Sequence, residues 1–136
     1  MLWNKNLETG NEIVDNQHKE IFKLVQDVLD SDAFENRQEK VEAALNFLAK
    51  YAVMHFASEE KLMQECNYPE YVSHKAMHDN FVKEVSEFVL SFEKDGESVD
   101  VSDVITNFVY SWLIEHVMHS DKKMAGFYKE WNNTAN

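Results

Sequence analysis

The chain of 136 residues has little cysteine, proline or glycine: it contains one cysteine, one proline and three glycines. A single cysteine, Cys66, cannot form an intramolecular disulfide, so a disulfide framework is excluded and a reducing, cytoplasmic setting is expected. The only proline, Pro69, would end one helix and open the next, because its ring is tolerated in the first turn of a helix but not in the interior.

Basic residues are also scarce, with 13 Lys and Arg against 25 Asp and Glu, which gives a net charge of −12. Nucleic acids and anionic membrane surfaces require clustered positive charge, so neither is expected as a partner. The sequence has no run of the ~18 apolar residues that a membrane span requires. Its first residues also lack the basic stretch followed by an apolar run that marks a secretory signal.

Helical periodicity dominates what is present. Apolar residues make up 44% and charged residues 28% of the chain, which is typical of a globular protein, and its length suits one domain over residues 1–136. Apolar side chains recurring three or four residues apart predict four helices, at about 16–30, 37–64, 69–93 and 100–123. An irregular N-terminal arm, residues 1–14, precedes them and a C-terminal segment, 124–136, follows. Short polar connections favour an all-α fold, an up-down-up-down antiparallel four-helix bundle.

The stretch HFASEEKLMQECNYPEYVSHKAMH, residues 55–78, carries two pairs of potential metal ligands. His55 and Glu59 form one pair and His74 and His78 the other, each four residues apart and therefore on one face of a helix. A glutamate is almost never buried without a partner, so Glu59 on an apolar stripe indicates a nearby cation.

Two more histidines lie on the apolar stripes, His18 early in the first helix and His116 late in the fourth. Because neighbouring helices alternate in direction, these positions and the two pairs meet at one end of the bundle. Five imidazoles and a carboxylate buried together would be costly without metal, and they suit two transition ions, iron being the usual choice.

A carboxylate shared between two ions can bridge them, and Glu59 is the first candidate for that role. Spacing alone leaves the second candidate open. Asp121 follows His116 by five residues and is out of phase in an ideal α-helix, whereas His119 is better aligned. Either the helix widens to a π-type turn, or Asp121 reaches the site from the side, or His119 takes the place.

These motifs together resemble the hemerythrins, and the short chain resembles a bacterial hemerythrin. The resemblance rests on His18, HFASE at 55–59, HKAMH at 74–78 and WLIEHVMHSD at 112–121. It implies a non-haem di-iron site with seven protein ligands: His74, His78 and His116 on one iron, His18 and His55 on the other, and Glu59 and Asp121 bridging both. An oxo or hydroxo group derived from solvent would also bridge, and the second iron would keep an open position for dioxygen. His119 is then expected at the surface or around the ligands.

The function implied is reversible dioxygen binding for storage, delivery or scavenging, without catalytic turnover. Two alternatives use the same site: a di-iron enzyme that reduces O2 or peroxide, and an O2- or redox-sensing domain. An electron-donating reductase is a candidate partner, and a monomer is expected. Phe56, Leu113 and Val117, adjacent in sequence to ligands, are candidates for an apolar wall that excludes water from bound O2, although Phe56 suits plain core packing equally well. A site role for Trp3 is also open.

Overall fold

The computed structural model describes residues 3–30, 37–95 and 105–135. Helix α1 spans Glu12–Asp30, α2 spans Arg37–Glu65 and α3 spans Tyr71–Asp95. A fourth helix, α4, is described as four consecutive segments, two of them π-helical (Ile105–Tyr110 and His116–Asp121) and two α-helical (Ser111–Glu115 and Lys122–Ala135). Strands are absent from these ranges, which confirms the prediction of an all-α four-helix bundle. The predicted start of the fourth helix, near residue 100, lies outside the described residues.

The helices pack in the order expected for antiparallel neighbours. α1 packs against α2 and the first segment of α4, and α2 packs against α3. Short connections between consecutive helices favour this arrangement. Within the described ranges, no helix combines the length and apolarity needed to cross a bilayer.

The first helix begins at Glu12, earlier than the apolar periodicity predicts. The reason is a side-chain cap, because the Oδ1 atom of Asn11 accepts a hydrogen bond from the N–H of Val14 at 3.1 Å. Gly10, with a φ of 92°, supplies the left-handed turn that directs the chain into this cap. A cap acts on backbone donors, so it extends the helix beyond the stretch whose side chains show a period.

The N-terminal arm is fastened to the bundle by polar and apolar contacts. Asp15 accepts hydrogen bonds from the N–H and hydroxyl of Thr9, both at 2.8 Å. Leu7 is buried, and the short 3-10 turn Lys5–Leu7 that contains it contacts the segment His116–Asp121. Trp3 packs edge-on against Phe22 at a centroid distance of 5.6 Å. The arm therefore covers one side of the bundle end that holds the predicted ligands.

A tight turn joins α2 to α3 and sets the relation between the two ligand pairs. Asn67 adopts a left-handed conformation with a φ of 52°, and the N–H of Tyr68 donates to the carbonyl of Met63 at 2.9 Å. This is the pattern of a Schellman motif, which ends a helix by satisfying its last carbonyls. Pro69 lies in the following turn, so α3 begins at Tyr71 rather than at the proline as predicted.

The C-terminal segment is also helical, whereas the sequence predicts that the fourth helix ends near residue 123. Met124 and Ala125 are buried, and Phe127 packs against Tyr68 with ring centroids 5.3 Å apart. These contacts fall on one side of the segment, and burial of that side stabilises a helix whose sequence pattern alone is weak.

Within the part of the chain that the structure describes, buried apolar residues form two clusters. The larger fills the body of the bundle and includes Phe56, Leu113 and Val117. The smaller lies at the α2–α3 turn and consists of Val14, Met63, Cys66, Tyr68 and Met124. Met63 follows Glu59 by one helical turn and Met124 follows Asp121 by three residues, so the buried polar residues lie between the two clusters.

Candidate metal centre

All seven predicted ligands converge in the interior, and every helix contributes to them. α1 supplies His18, α2 supplies His55 and Glu59, α3 supplies His74 and His78, and α4 supplies His116 and Asp121. None of the seven exposes more than 5% of its surface. Their donor atoms form two groups suited to a metal ion, one with three histidines and one with two, and both groups contain Glu59 and Asp121.

The two oxygens of Glu59 point to different groups. Its Oε2 atom lies 2.9 Å from Nε2 of His55 and 3.2 Å from Nε2 of His18. Its Oε1 atom lies 3.1 Å from Nε2 of His78 and 3.5 Å from Nε2 of His74. A carboxylate with one oxygen on each side can bridge two ions.

Asp121 divides its oxygens in the same way. The Oδ2 atom lies 3.0 Å from Nε2 of His18, and the Oδ1 atom lies 3.0 Å from Nε2 of His116 and 3.1 Å from Nε2 of His74. The two carboxylates are thus equivalent in geometry, although they come from different helices.

A π-helical segment brings Asp121 into this position. The segment spans His116–Asp121, and the N–H of Lys122 donates to the carbonyl of Val117 five residues earlier. The wider turn moves a residue at i+5 towards the face of residue i, which is the first of the alternatives raised by the sequence. His119 instead exposes 73% of its side chain and lies 3.4 Å from the carboxylate of Glu115 at the surface.

The donor atoms fit transition-metal ions. Nε2 of His116 lies 3.0 Å from Nε2 of His78 and 3.1 Å from Nε2 of His74. With metal–ligand bonds of about 2.1 Å, two donors 90° apart around one ion are separated by about 3 Å, so this spacing matches neighbouring ligands of one ion.

Buried polar atoms without hydrogen-bond partners also indicate that the site fits metal ions. Among the described residues, four buried side-chain atoms have no hydrogen-bond partner. Oε1 of Glu59, Oδ2 of Asp121 and Nε2 of His55 belong to the two donor groups, whereas Nδ1 of His18 is the ring nitrogen that does not face the carboxylates. Nε2 of His55 is only 2.9 Å from Glu59, so the two atoms are close but not directed at each other. Buried polar atoms are normally satisfied, and lone pairs that converge on an ion between them account for this exception.

Two residues that the sequence does not single out contact the Nδ1 atoms of predicted ligands, on the side of each ring that faces away from the site. Nδ1 of His55 lies 2.8 Å from Oε1 of Gln17, and Nδ1 of His78 lies 3.0 Å from Oε2 of Glu60. Partners of this kind fix the tautomer and the orientation of a metal-binding imidazole. The only sequence signal was proximity, since Gln17 precedes His18 and Glu60 follows Glu59.

The ionisable groups at the centre hold each other in charged states. Burial lowers the pKa of His18 and His74, but the carboxylates of Asp121 and Glu59 outweigh this and raise both pKa values to about 9. Burial likewise raises the pKa of Glu59, and the histidines around it outweigh that effect and hold the pKa well below its ordinary range. The pKa of Asp121 is lowered too, since His116 and His18 outweigh burial and the charge of Glu59. Two imidazolium protons therefore offset two carboxylates until a metal displaces them.

Aromatic and aliphatic side chains close the site on the bundle side. Phe56 stacks on His78 with centroids 4.0 Å apart and planes 6° apart, and Trp112 stacks on His116 at 4.4 Å and 12°. Leu113 and Val117 are buried in the same apolar cluster as Phe56. On the arm side, the ring of Trp3 lies 6.1 Å from that of His18. Phe56 therefore belongs both to the core and to the surroundings of a ligand.

Comparisons with known proteins agree with this geometry. The family model described as "Hemerythrin HHE cation binding domain" matches residues 9–128. The chain is 40% identical over 108 residues to the bacteriohemerythrin of Methylococcus capsulatus, covering 79% of this chain and 80% of that protein. It is 34% identical over 125 residues to the bacteriohemerythrin of Pseudomonas aeruginosa, covering 89% and 76%. A crystal structure of wild-type hemerythrin superimposes with a TM-score of 0.84 at 32% identity, covering 94% of this chain and 97% of that one.

Proposed function

This chain belongs to the hemerythrin family, and from that membership we propose that its seven buried ligands hold two iron ions at which dioxygen binds reversibly. The observation that supports the proposal best is the pair of donor groups that share Glu59 and Asp121. Members of the family are oxygen-binding di-iron proteins rather than enzymes. The shared carboxylates account for a pair of ions, which a single cluster of histidines would not.

The ligands are proposed to divide according to the oxygens they face. His74, His78 and His116 would hold one ion with Oε1 of Glu59 and Oδ1 of Asp121. His18 and His55 would hold the other with the remaining two oxygens. The second ion has one protein donor fewer, and this open position is where dioxygen would bind.

Iron supplies the electrons and the coordination site for dioxygen, and the protein determines how they are used. Five of the seven ligands are neutral imidazoles, whereas di-iron oxidases of the ferritin type use mostly carboxylates. Fewer negative charges around the pair stabilise high-valent iron less, so the chemistry is expected to stop at reversible binding.

The apolar wall is proposed to protect the bound state. Phe56, Leu113 and Val117 expose 3%, 3% and 1% of their surfaces and fill the bundle next to the ligands. Water and protons promote oxidative loss of bound oxygen, and buried apolar side chains beside the ligands disfavour both.

The setting of the protein is also proposed from its chemistry. Cys66 is free and buried, which suits a reducing, cytoplasmic compartment. Iron that has oxidised needs an external electron donor, so we propose a reductase as a partner. We propose a monomer as well, since all seven ligands lie on one chain. Light scattering on a size-exclusion column would test the monomer directly.

Exposure of the reduced, iron-loaded protein to dioxygen tests the function. We expect two irons per chain and a visible charge-transfer absorption that appears with O2 and disappears when O2 is removed. Continuous O2 consumption with NADH and a reductase, without that reversible absorption, would show an enzyme instead. His119→Gln is a matched control because His119 is the one histidine that lies away from the site, and it should retain both irons.

A further inference from the structure

The two ions of the proposed centre differ in the residue that contacts the Nδ1 atom of one of their histidines. His78 is held by the carboxylate of Glu60 at 3.0 Å, whereas His55 is held by the neutral amide of Gln17 at 2.8 Å. We propose that Glu60 is a positioning residue that lowers the reduction potential of the three-histidine iron relative to its neighbour. The inference rests on the proposed function, because it concerns the iron that His78 would bind.

Both partners impose the same tautomer. The amide of Gln17 is oriented by its own contact, because its Nε2 donates to Oγ of Ser58 at 3.2 Å and leaves Oε1 to accept from His55. An ionised carboxylate can only accept, so Glu60 requires a proton on Nδ1 of His78. In each ring the Nε2 lone pair is left free for a metal.

The difference between the two partners is charge. An anionic acceptor draws the Nδ1 proton more strongly than an amide does, which makes the imidazole a stronger electron donor to its metal. Stronger donation stabilises Fe(III) more than Fe(II). The iron bound by His78 should therefore be harder to reduce than it would be with an amide at position 60.

The contacts around Glu60 keep its carboxylate directly against the ring of His78. Its side chain is 18% exposed, so water still solvates part of the carboxylate, while the ring of His78 is only 1% exposed. Lys75, a cation on the same helix as His78, is paired with Asp79 at 2.7 Å. Phe56 stacks on the face of His78, so the ring cannot rotate away from Glu60 without losing that contact.

The test removes the negative charge of Glu60 and keeps the shape of its side chain. In iron-loaded Glu60→Gln, we expect the preference for Fe(III) over Fe(II) at one iron to fall about tenfold, a rise of about 59 mV in one of the two one-electron potentials. The reciprocal change Gln17→Glu should lower the other potential. Glu115→Gln is the matched control, because it removes the same charge from a side chain that is 76% exposed and pairs with His119, and it should shift neither potential.

Spectroelectrochemical titration between the diferric and diferrous forms measures both potentials. If Glu60→Gln bound two irons and had the same two potentials as Glu115→Gln, also with two irons bound, the inference would be overturned. The proposed function is tested separately, in the protein without substitutions. Low iron content or the absence of reversible O2 binding there would contradict it.

A second measurement needs neither a variant nor iron. In the zinc-loaded protein, the Nδ1 proton of His78 should give a downfield NMR signal protected from solvent exchange. Rapid exchange of that proton would remove the hydrogen bond on which the inference depends, even where Glu60→Gln does not fold.

Discussion

Raising the pH from about 6 to about 8 is expected to destabilise the protein once its metal has been removed by chelation, by about 4 kcal/mol. The cause is the raised pKa of His18 and His74, which reaches about 9 in the folded protein against 6.5 as the ordinary value. A group whose pKa is raised on folding contributes its full stability below the unfolded pKa. That contribution is lost as the pH rises towards the folded pKa.

The magnitude follows from the two pKa values. Between about pH 6 and about pH 8 the unfolded imidazole loses most of its proton while the folded one keeps it, which costs about 2 kcal/mol for each histidine. For a chain of 136 residues, a loss of this size for both groups lowers the melting temperature by roughly 14 °C. The carboxylates do not oppose the trend, because the lowered pKa values of Glu59 and Asp121 matter only as the pH falls through the acid range.

Urea denaturation of the chelated protein at several pH values measures the effect. His18→Gln should reduce the dependence on pH by about half, and His119→Gln should leave it unchanged, because His119 is exposed. The metal-loaded protein should show no such loss, because its imidazoles carry no proton at Nε2. A free energy of unfolding that is constant or rises between these pH values in the chelated protein would refute the reasoning.

Three further predictions concern single positions. Glu59→Ala should reduce iron below two per chain by elemental analysis, and an unchanged stoichiometry would exclude Glu59 as a ligand. Leu113→Ala should lower the free energy of unfolding by about 2–5 kcal/mol in urea and hasten loss of the oxygen-dependent absorption; a slower loss would contradict a protective wall. Asn67→Ala should cost about 1 kcal/mol because of the left-handed φ of Asn67, whereas Asn67→Gly should cost little, and equal losses would show that this φ is not limiting.

The sequence identified the candidate ligands mainly because four of them share a local signature. His55 and Glu59, and likewise His74 and His78, lie one helical turn apart, and a spacing of that kind survives any tertiary arrangement. Alternating helix directions were enough to bring these positions to one end. The all-α bundle followed from the same periodicity.

The start of α1 and the end of α4 were predicted wrongly, for a common reason. A period in apolar residues reports which face is buried, but helix ends depend on other interactions. At α1 the determinant is the side-chain cap of Asn11, and at α4 it is the packing of Met124 and Phe127 on the α2–α3 turn.

Only the tertiary structure decided how the site is organised. The spacing of His116 and Asp121 left three alternatives open, and the structure shows the π-helical turn. No local pattern encodes the division of each carboxylate between two groups or the partners Gln17 and Glu60. Gln17 lies 38 residues from His55 in the chain, and Glu60 lies 18 residues from His78. Spacing along one helix determines the direction in which a side chain points from the axis of that helix. The partner atom that the side chain contacts belongs to another helix, so this spacing does not predict it. The sequence by itself thus determined which residues could bind metal, and the packing of four helices determined what holds them.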